Sequence, residues 1–192
     1  HLAAAPRAPA PGCGLFTAPA NMVHYPANGT VGGVAFGSVP GSGAAPLVAD
    51  MSSMLLSQSI DVSQFGVIYA GTQKNLGPAG MCVVVVRRDL MGHARSETPT
   101  ILEYAGMAAN DSMLNTPPTF GIYLLGKILT WIEAKGGVEG MSAINKAKAA
   151  ALYGFIDGHD FYSNPVALDS RSIMNVTFLL GNPELDKKFV SE

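Results

Sequence analysis

The stretch from Phe65 to Met81 (FGVIYAGTQKNLGPAGM) constrains the fold of this chain more than any other segment. The apolar run Phe65 to Ala70 predicts a buried strand, and the run Met81 to Val86 predicts a second strand after a turn that contains glycine and proline. Lys74 lies between the two runs. We expect the strands to shield this lysine from water, which disfavours its charged form and makes its amine a better nucleophile. The ordinary alternative is a solvated lysine in a loop.

An aspartate ends another apolar run upstream of this lysine. Residues 46–53 read PLVADMSS, the pattern of a buried parallel strand with a functional group at its carboxyl end. Asp50 precedes Lys74 by 24 residues (74 − 50), which leaves room for a crossover and the next strand. A lysine and a carboxylate at neighbouring strand ends suit pyridoxal phosphate, because the amine can bond to the cofactor while the carboxylate keeps its pyridine nitrogen protonated.

Residues 112–120 (SMLNTPPTF) predict the start of a long helix. Thr116 is a suitable N-cap, and a helix tolerates proline in its first turn. The backbone N–H groups of such a helix start can donate hydrogen bonds to a phosphate. The helical spacing that follows predicts a core-facing apolar stripe: Phe120, Leu124, Ile128, Trp131 and Ile132.

The pattern predicts strands and helices in most of the remaining chain. A second long helix is expected over Val138 to Asp157, with one apolar face: Met141, Ile144, Ala147, Ala151, Leu152 and Phe155. Short strands are expected at Val23 to Tyr25 and Gly33 to Phe36, a longer strand at Met174 to Leu180, and a helix from Asn182 to the chain end. Residues 1–20 are rich in alanine and proline, which predicts a disordered tail or linker.

The composition is rich in apolar residues and poor in charge. Apolar residues make up 48% and charged residues 14%, which fits strands covered on both faces or a surface that belongs in an interface. A net charge of −2 indicates no nucleic-acid partner and no anionic-membrane partner, and no apolar run predicts a transmembrane segment. The two cysteines, Cys13 and Cys82, predict neither a disulfide framework nor a metal site, and favour a reducing compartment.

Four segments, GVIYAGTQKNLGPAGM, PLVADMSS, SMLNTPPTF and RSIMNVTF, together resemble the phosphoserine aminotransferases, a family of fold-type I pyridoxal-phosphate enzymes. The resemblance begins at about Asn21 and continues to the chain end. It implies an α/β fold in which residues 21–146 form the cofactor-binding part of the large three-layer domain. Residues 147–192 then begin the small C-terminal domain. We expect the chain to be a fragment that lacks an N-terminal third and the C-terminal end of the family.

The resemblance implies a transaminase. The expected reaction transfers the amino group of glutamate to 3-phosphohydroxypyruvate, giving phosphoserine and 2-oxoglutarate in serine biosynthesis. The expected cofactor is pyridoxal 5'-phosphate, and the expected assembly is a homodimer with active sites at the interface. A cytoplasmic location is expected, with a plastid or mitochondrion as the alternative.

The resemblance also assigns site residues: Thr30, Asp50, Gln73, Lys74, Asn115 and Thr116. Lys74 is the expected catalytic residue and the point of cofactor attachment, and Asp50 is expected to pair with the pyridine nitrogen. Thr30 matches a threonine that contacts the cofactor ring oxygen, although Gly29 replaces an acidic residue of the family beside it. Asn115 and Thr116 are expected to bind the cofactor phosphate of the partner subunit.

Two other readings remain open from the sequence. One is a catalytically silent fragment or isoform that retains only the dimerisation surface. The other is a different fold-type I enzyme, such as an aminotransferase of the alanine–glyoxylate type or a desulfurase. Because no stacking aromatic and no distal arginine match the family, we expect little activity from this chain alone.

Overall fold

A computed structural model of the chain describes Ala8 and residues 21–192. Apart from Ala8, the tail predicted over residues 1–20 therefore lies outside the described residues. The described part contains a four-stranded sheet, several helices and a two-stranded sheet, which confirms the α/β class. The larger sheet consists, in spatial order, of β1 (Val23–Pro26), β2 (Leu47–Asp50), β3 (Val67–Gly71) and β4 (Cys82–Val86).

The larger sheet is mixed in direction. β1, β2 and β3 are parallel, whereas β4 runs antiparallel to β3. The apolar runs predicted at residues 46–50, 65–70 and 81–86 are confirmed as strands. Because the first three strands are parallel, their carboxyl ends meet at one edge of the sheet, which is where ligands bind in open α/β sheets.

One face of this sheet packs against the main hydrophobic core. In β1, Val23 and Tyr25 are buried while His24 and Pro26 are exposed, because successive side chains of a strand point to opposite faces. The core cluster continues through the next two strands and the loop between them: Leu47, Ala49, Met51, Met54, Phe65 and Ile68. The opposite face carries both polar and apolar side chains, among them His24, Asp50 and the buried Val67.

The prediction that β4 is a buried strand is wrong. Val84 and Val85 are 40% and 41% exposed, and Cys82 is exposed as well. β4 is the edge strand of the described sheet, so no described strand pairs with its outer side. An all-apolar run such as CVVVV indicates that a strand can be covered on both faces but does not show which part of a protein covers it.

Helices form most of the second half of the chain. The helices are α1 (Tyr104–Ala109), α2 (Thr119–Ala134), α3 (Gly137–Asp157) and α4 (Asp186–Ser191), and the small antiparallel sheet pairs β5 (Tyr162–Ser163) with β6 (Leu179–Leu180). α2 begins after Pro118 rather than at Thr116. Gly136, at a φ of 92°, makes the sharp turn between α2 and α3. The domain boundary predicted after residue 146 falls inside α3 and stays a prediction.

The predicted core face of α2 is right in part, and that of α3 is wrong. In α2, Ile132 is buried and Leu124 and Ile128 are half-buried as predicted, whereas Phe120 is 72% exposed and Trp131 is 50% exposed. In α3 the buried residues are Asn145, Ala149 and Ile156, none of which belongs to the predicted stripe. An alanine-rich helix has more than one apolar face, so the neighbouring elements decide which of them is buried.

Two predicted strands are largely replaced by turns and bridges. The segment Gly33 to Phe36 makes only isolated bridges, one between Asn28 and Ala35 and one between Val34 and Arg171. The strand predicted from Met174 is reduced to Leu179–Leu180. Its earlier part is instead a turn in which the Ser172 hydroxyl accepts hydrogen bonds from the backbone N–H groups of residues 174 and 175.

The turn after β1 requires glycine at position 33. Gly33 has a φ of 66°, and a Cβ placed there would lie 2.6 Å from Thr177 Oγ1 and 3.0 Å from the Asn175 carbonyl oxygen. We expect Gly33→Ala to lower the free energy of unfolding by about 1–3 kcal/mol. Urea denaturation measures this change. Gly32→Ala is the matched control, because a Cβ at Gly32 meets nothing within 4 Å, and equal losses in both variants would contradict the prediction.

Candidate functional site

The loop that follows β3 is closed around the buried side chain of Thr72. The Thr72 hydroxyl donates hydrogen bonds to the carbonyl oxygens of Pro78 and Met81. The backbone carbonyl oxygen of Thr72 accepts hydrogen bonds from the N–H groups of Leu76, at 3.2 Å, and Gly77, at 2.7 Å. Sequence reasoning missed Thr72, although a buried hydroxyl between a strand and a glycine-rich turn is a common device for holding a loop.

Lys74 lies on this loop and is exposed. The prediction that the flanking strands shield it from water is therefore wrong for the described chain. The physical reason is that the turn projects beyond the ends of β3 and β4, so the two strands contact the base of the loop and leave its middle open. The lysine is nevertheless held, because its Nζ donates a hydrogen bond of 2.8 Å to Thr30 Oγ1.

Thr30 belongs to the turn that follows β1. That turn is closed by a 2.7 Å hydrogen bond from the N–H of Gly29 to the carbonyl oxygen of Val34, and by the bridge between Asn28 and Ala35. The turn is therefore closed with glycine at position 29. The structure thus brings together Thr30 and Lys74, two of the residues singled out from the sequence.

Asp50 ends β2 between these two elements. Its Oδ1 accepts a 2.9 Å hydrogen bond from the N–H of Ser52. Burial raises the pKa of Asp50, but hydrogen bonding from Ser52 and the positive charge of Lys74 outweigh it. The pKa of Asp50 therefore lies below its ordinary value, and the side chain is a carboxylate at neutral pH.

A buried polar cluster stands behind the site and was not predicted. The Asn28 side-chain amide donates hydrogen bonds of 2.7 Å to Ser53 Oγ and 2.7 Å to Asn175 Oδ1. Ser53 Oγ in turn donates to the carbonyl oxygen of Asn28 at 3.1 Å. The cluster connects the turn of Thr30 with the loop after β2 and with the segment RSIMNVTF. The asparagine inside that apolar segment was the one signal that could have identified it.

The other predicted site residues do not reach Lys74. Gln73 is exposed, and its side chain folds back over Gly71, where a Cβ would lie 2.6 Å from Gln73 Oε1. Asn115 and Thr116 are exposed, and no hydrogen bond among the described residues connects them with Lys74. Their assignment to the cofactor phosphate stays a prediction.

An amine, a hydroxyl and a carboxylate thus stand at the carboxyl ends of three adjacent parallel strands. A model of the class-V aminotransferases matches residues 15–192 of this chain. The chain belongs to the class-V aminotransferase family.

Curated relatives of this class-V aminotransferase are named phosphoserine aminotransferases. It is 54% identical over 173 residues to the protein from Hahella chejuensis and 55% identical over 172 residues to that from Pseudomonas putida. Each match covers 90% of this chain and 48% of the relative. The chain therefore spans about half the length of the curated relatives it matches.

Solved structures show the same likeness. The phosphoserine aminotransferase from Bacillus circulans subsp. alkalophilus superimposes with a TM-score of 0.85 at 47% identity, over 88% of this chain and 47% of that one. The enzyme from Trichomonas vaginalis, described as bound to PLP, gives a TM-score of 0.83 at 38% identity, over 88% of this chain and 49% of that one. The fold-type I assignment is thereby confirmed.

Two further findings concern the described part of this class-V aminotransferase. Within residues 21–192 and Ala8, no three or more histidine, cysteine, aspartate or glutamate side chains group in a way that could hold a metal ion. In the same residues, none of the helices combines the length and the apolar character needed to span a bilayer.

Proposed function

We propose that this chain provides the pyridoxal-phosphate-binding part of a phosphoserine aminotransferase. The proposed reaction transfers the amino group of glutamate to 3-phosphohydroxypyruvate and produces phosphoserine and 2-oxoglutarate. One observation carries the proposal: Lys74 Nζ lies 2.8 Å from Thr30 Oγ1 and attracts the carboxylate of Asp50, in a chain that is 54% identical to a named phosphoserine aminotransferase.

Each of the three residues has a distinct role in this proposal. When bound, pyridoxal phosphate supplies an electron sink for negative charge that develops at the substrate α-carbon. Lys74 would hold the cofactor through Nζ and, as a free amine, would move a proton between the substrate α-carbon and the cofactor. Asp50 stabilises a protonated ring nitrogen, for which its low pKa is suited because the carboxylate stays charged. Thr30 would donate a hydrogen bond to the ring oxygen.

We further propose a homodimer in which Asn115 and Thr116 bind the cofactor phosphate of the partner subunit. Both residues are exposed and lie outside the hydrogen-bond network of their own chain's Lys74. The apolar side chains of Phe120 and Trp131, exposed on α2, support an interface on the same part of the chain. A cytoplasmic location, with a plastid or mitochondrion as the alternative, stays part of the proposal.

Reductive labelling tests where the cofactor attaches. We expect borohydride treatment of the chain loaded with pyridoxal phosphate, followed by peptide mapping, to place the pyridoxyl group on Lys74. Lys127 and Lys135, which lie 5.3 Å and 6.0 Å from the ring centres of Tyr123 and Trp131, serve as internal controls for nonspecific labelling. A principal adduct on either of them would contradict the proposal.

The rival readings make different predictions for the same preparation. A silent chain that kept only a dimerisation surface would have no need for the contact between Lys74 and Thr30, and would give no specific adduct. A different fold-type I enzyme would attach the cofactor but prefer another substrate. Assays of a completed, active enzyme with 3-phosphohydroxypyruvate and with unphosphorylated oxo-acids distinguish the second case, and we expect the phosphorylated substrate to be preferred.

A further inference from the structure

Two adjacent buried serines follow Asp50 in the loop after β2, and the proposed chemistry does not yet use either of them. Ser52 is 8% exposed and Ser53 is 7% exposed. A hydroxyl that is buried without a hydrogen-bond partner destabilises a protein, so buried hydroxyls are usually paired. The partners of these two side chains therefore indicate which parts of the site they hold.

Ser52 connects Asp50 with the end of β3. The N–H of Ser52 donates a 2.9 Å hydrogen bond to Oδ1 of Asp50, and its Oγ accepts a 3.0 Å hydrogen bond from the N–H of Gly71. Gly71 is the last residue of β3, and the loop that contains Thr72 and Lys74 follows it. One residue thus contacts both the carboxylate of the site and the strand that leads to the lysine.

Ser53 connects the same loop with the turn after β1. Its Oγ donates a 3.1 Å hydrogen bond to the carbonyl oxygen of Asn28 and accepts one of 2.7 Å from the side-chain amide of Asn28. The second N–H of that amide donates to Oδ1 of Asn175 at 2.7 Å. Every polar proton of Asn28 and Ser53 side chains therefore has an acceptor, which favours one orientation of the amide. Asn28 lies two residues before Thr30.

We propose that Ser52 and Ser53 are positioning residues for the three functional groups of the site. Ser52 holds the Asp50 carboxylate against the strand that leads to Lys74. Ser53 holds the turn that presents Thr30. This inference rests on the proposed function for its use of the cofactor.

The site needs such links because its functional side chains do not hold one another in place during the proposed reaction. The hydrogen bond between Lys74 and Thr30 is given up when both groups turn to the cofactor. The hydrogen bonds of Ser52 and Ser53 go to neighbouring elements of the sheet and do not involve either of those side chains. They can therefore keep the groups within about 0.5 Å of a productive arrangement, the tolerance of a preorganised site.

Hydrogen exchange of the cofactor-free chain, followed by nuclear magnetic resonance, tests the two links separately. In Ser52→Ala the N–H of Gly71 loses its acceptor, so we expect its exchange to become about two- to tenfold faster, the effect of losing one hydrogen bond. In Ser53→Ala the same acceleration is expected for the side-chain amide of Asn28 and not for Gly71. Unchanged exchange of both groups would overturn the inference.

A ¹³C titration of Asp50 tests whether Ser52 acts on the carboxylate. Hydrogen bonding from Ser52 lowers the pKa of Asp50, so we expect a higher pKa in Ser52→Ala than in the unaltered chain. The other ionisable groups that act on Asp50, Lys74 and Tyr69, stay in place in every variant. Ser53→Ala should leave the titration unchanged. An equal shift in both variants would show that the serines only stabilise the loop, and would overturn the positioning role.

Ser57→Ala is the matched control for both serine variants. Ser57 belongs to the same loop and is 1% exposed, and its hydroxyl has no hydrogen-bond partner among the described residues. This substitution therefore removes a buried hydroxyl from the loop without breaking a link. We expect the exchange rates and the Asp50 titration of Ser57→Ala to match those of the unaltered chain.

Cofactor analogues test what each link positions. The probes are pyridoxal phosphate, its 1-deaza analogue, in which carbon replaces the ring nitrogen, and its 3-deoxy analogue, which lacks the ring oxygen. We expect Ser52→Ala to reduce the preference for pyridoxal phosphate over the deaza analogue by about two- to tenfold, the effect of one hydrogen bond. Ser53→Ala should reduce the preference over the deoxy analogue instead, and Ser57→Ala neither. Titration calorimetry measures these affinities.

The two proposals fail in different ways. If the unaltered chain attaches no pyridoxal phosphate at Lys74, the proposed function is wrong, and the exchange and titration results still decide whether the two links exist. If the cofactor attaches at Lys74 but the serine variants weaken all three probes equally, the positioning role is wrong while the proposed function stands. Where an alanine variant does not fold, Ser52→Cys or Ser53→Cys decides, because a thiol has a similar shape but is a weak donor and acceptor.

Discussion

Replacing Lys74 with alanine is expected to abolish covalent attachment of pyridoxal phosphate and to lower turnover in the active enzyme by at least about 10⁴-fold. The estimate reflects the loss of a proton-transfer group, which alone contributes about 10²–10⁴-fold, together with the loss of the covalent link. Lys74 is exposed, and among the described residues its side chain hydrogen-bonds only to Thr30, so we expect little change in stability. Steady-state kinetics and thermal unfolding measure the two effects.

The control for this experiment is Lys127→Ala. Lys127 is also exposed, but it belongs to α2 and its ammonium group faces the ring of Tyr123. The Lys127→Ala enzyme should retain both cofactor attachment and turnover. A Lys74→Ala enzyme that keeps more than about one per cent of its turnover would be incompatible with a proton-transfer role, whose loss costs about 100-fold at least.

Asp50→Asn is expected to leave cofactor attachment possible but to reduce kcat by roughly 10²–10³-fold, the typical effect of removing one preorganised electrostatic partner. An amide cannot stabilise a protonated ring nitrogen in the way a carboxylate can. Because the pKa of Asp50 is below its ordinary value, the unaltered enzyme keeps this carboxylate charged at neutral pH. The carboxylate loses its charge only as the pH falls through that lowered pKa, so the difference between the two enzymes should shrink in acid.

Asp61→Asn is a matched control for Asp50→Asn. Asp61 accepts a hydrogen bond from the N–H of Ser63 at 3.0 Å, the same local pattern that Asp50 forms with Ser52, but it is exposed at the start of a short 3-10 turn. The Asp61→Asn enzyme should have the same kcat as the unaltered enzyme. Equal losses in both variants would show that the effect comes from the turn and not from the ring nitrogen.

The strands and their functional ends could be predicted because the information is local. The apolar runs before Asp50 and before Lys74 are bounded by polar and glycine-containing turns, which define short buried strands. The carboxyl ends of parallel strands meet at one edge of a sheet, so the separate patterns around Asp50 and Lys74 predicted a single site. The resemblance to the family then added Thr30, whose hydroxyl the structure places 2.8 Å from Lys74 Nζ.

The parts that failed depend on contacts between distant segments. The buried face of α3 is selected by the elements it packs against, and an alanine-rich sequence leaves several faces available. The exposure of Lys74 depends on how far its loop projects, which periodicity does not encode. The cluster of Asn28, Ser53 and Asn175 joins residues from three segments, and no local pattern connects them.

The hydrogen bond between Asn28 and Asn175 has a consequence for the order of folding. It closes a loop of 147 residues, so the entropy of bringing its ends together has to be overcome before this contact can form. The strands β1, β2 and β3 are neighbours along the chain and can pair earlier. On a ribosome, residue 28 would wait until residue 175 had emerged before it met Asn175. The turn that presents Thr30 would then reach its final rigidity only after the sheet beneath it had already assembled.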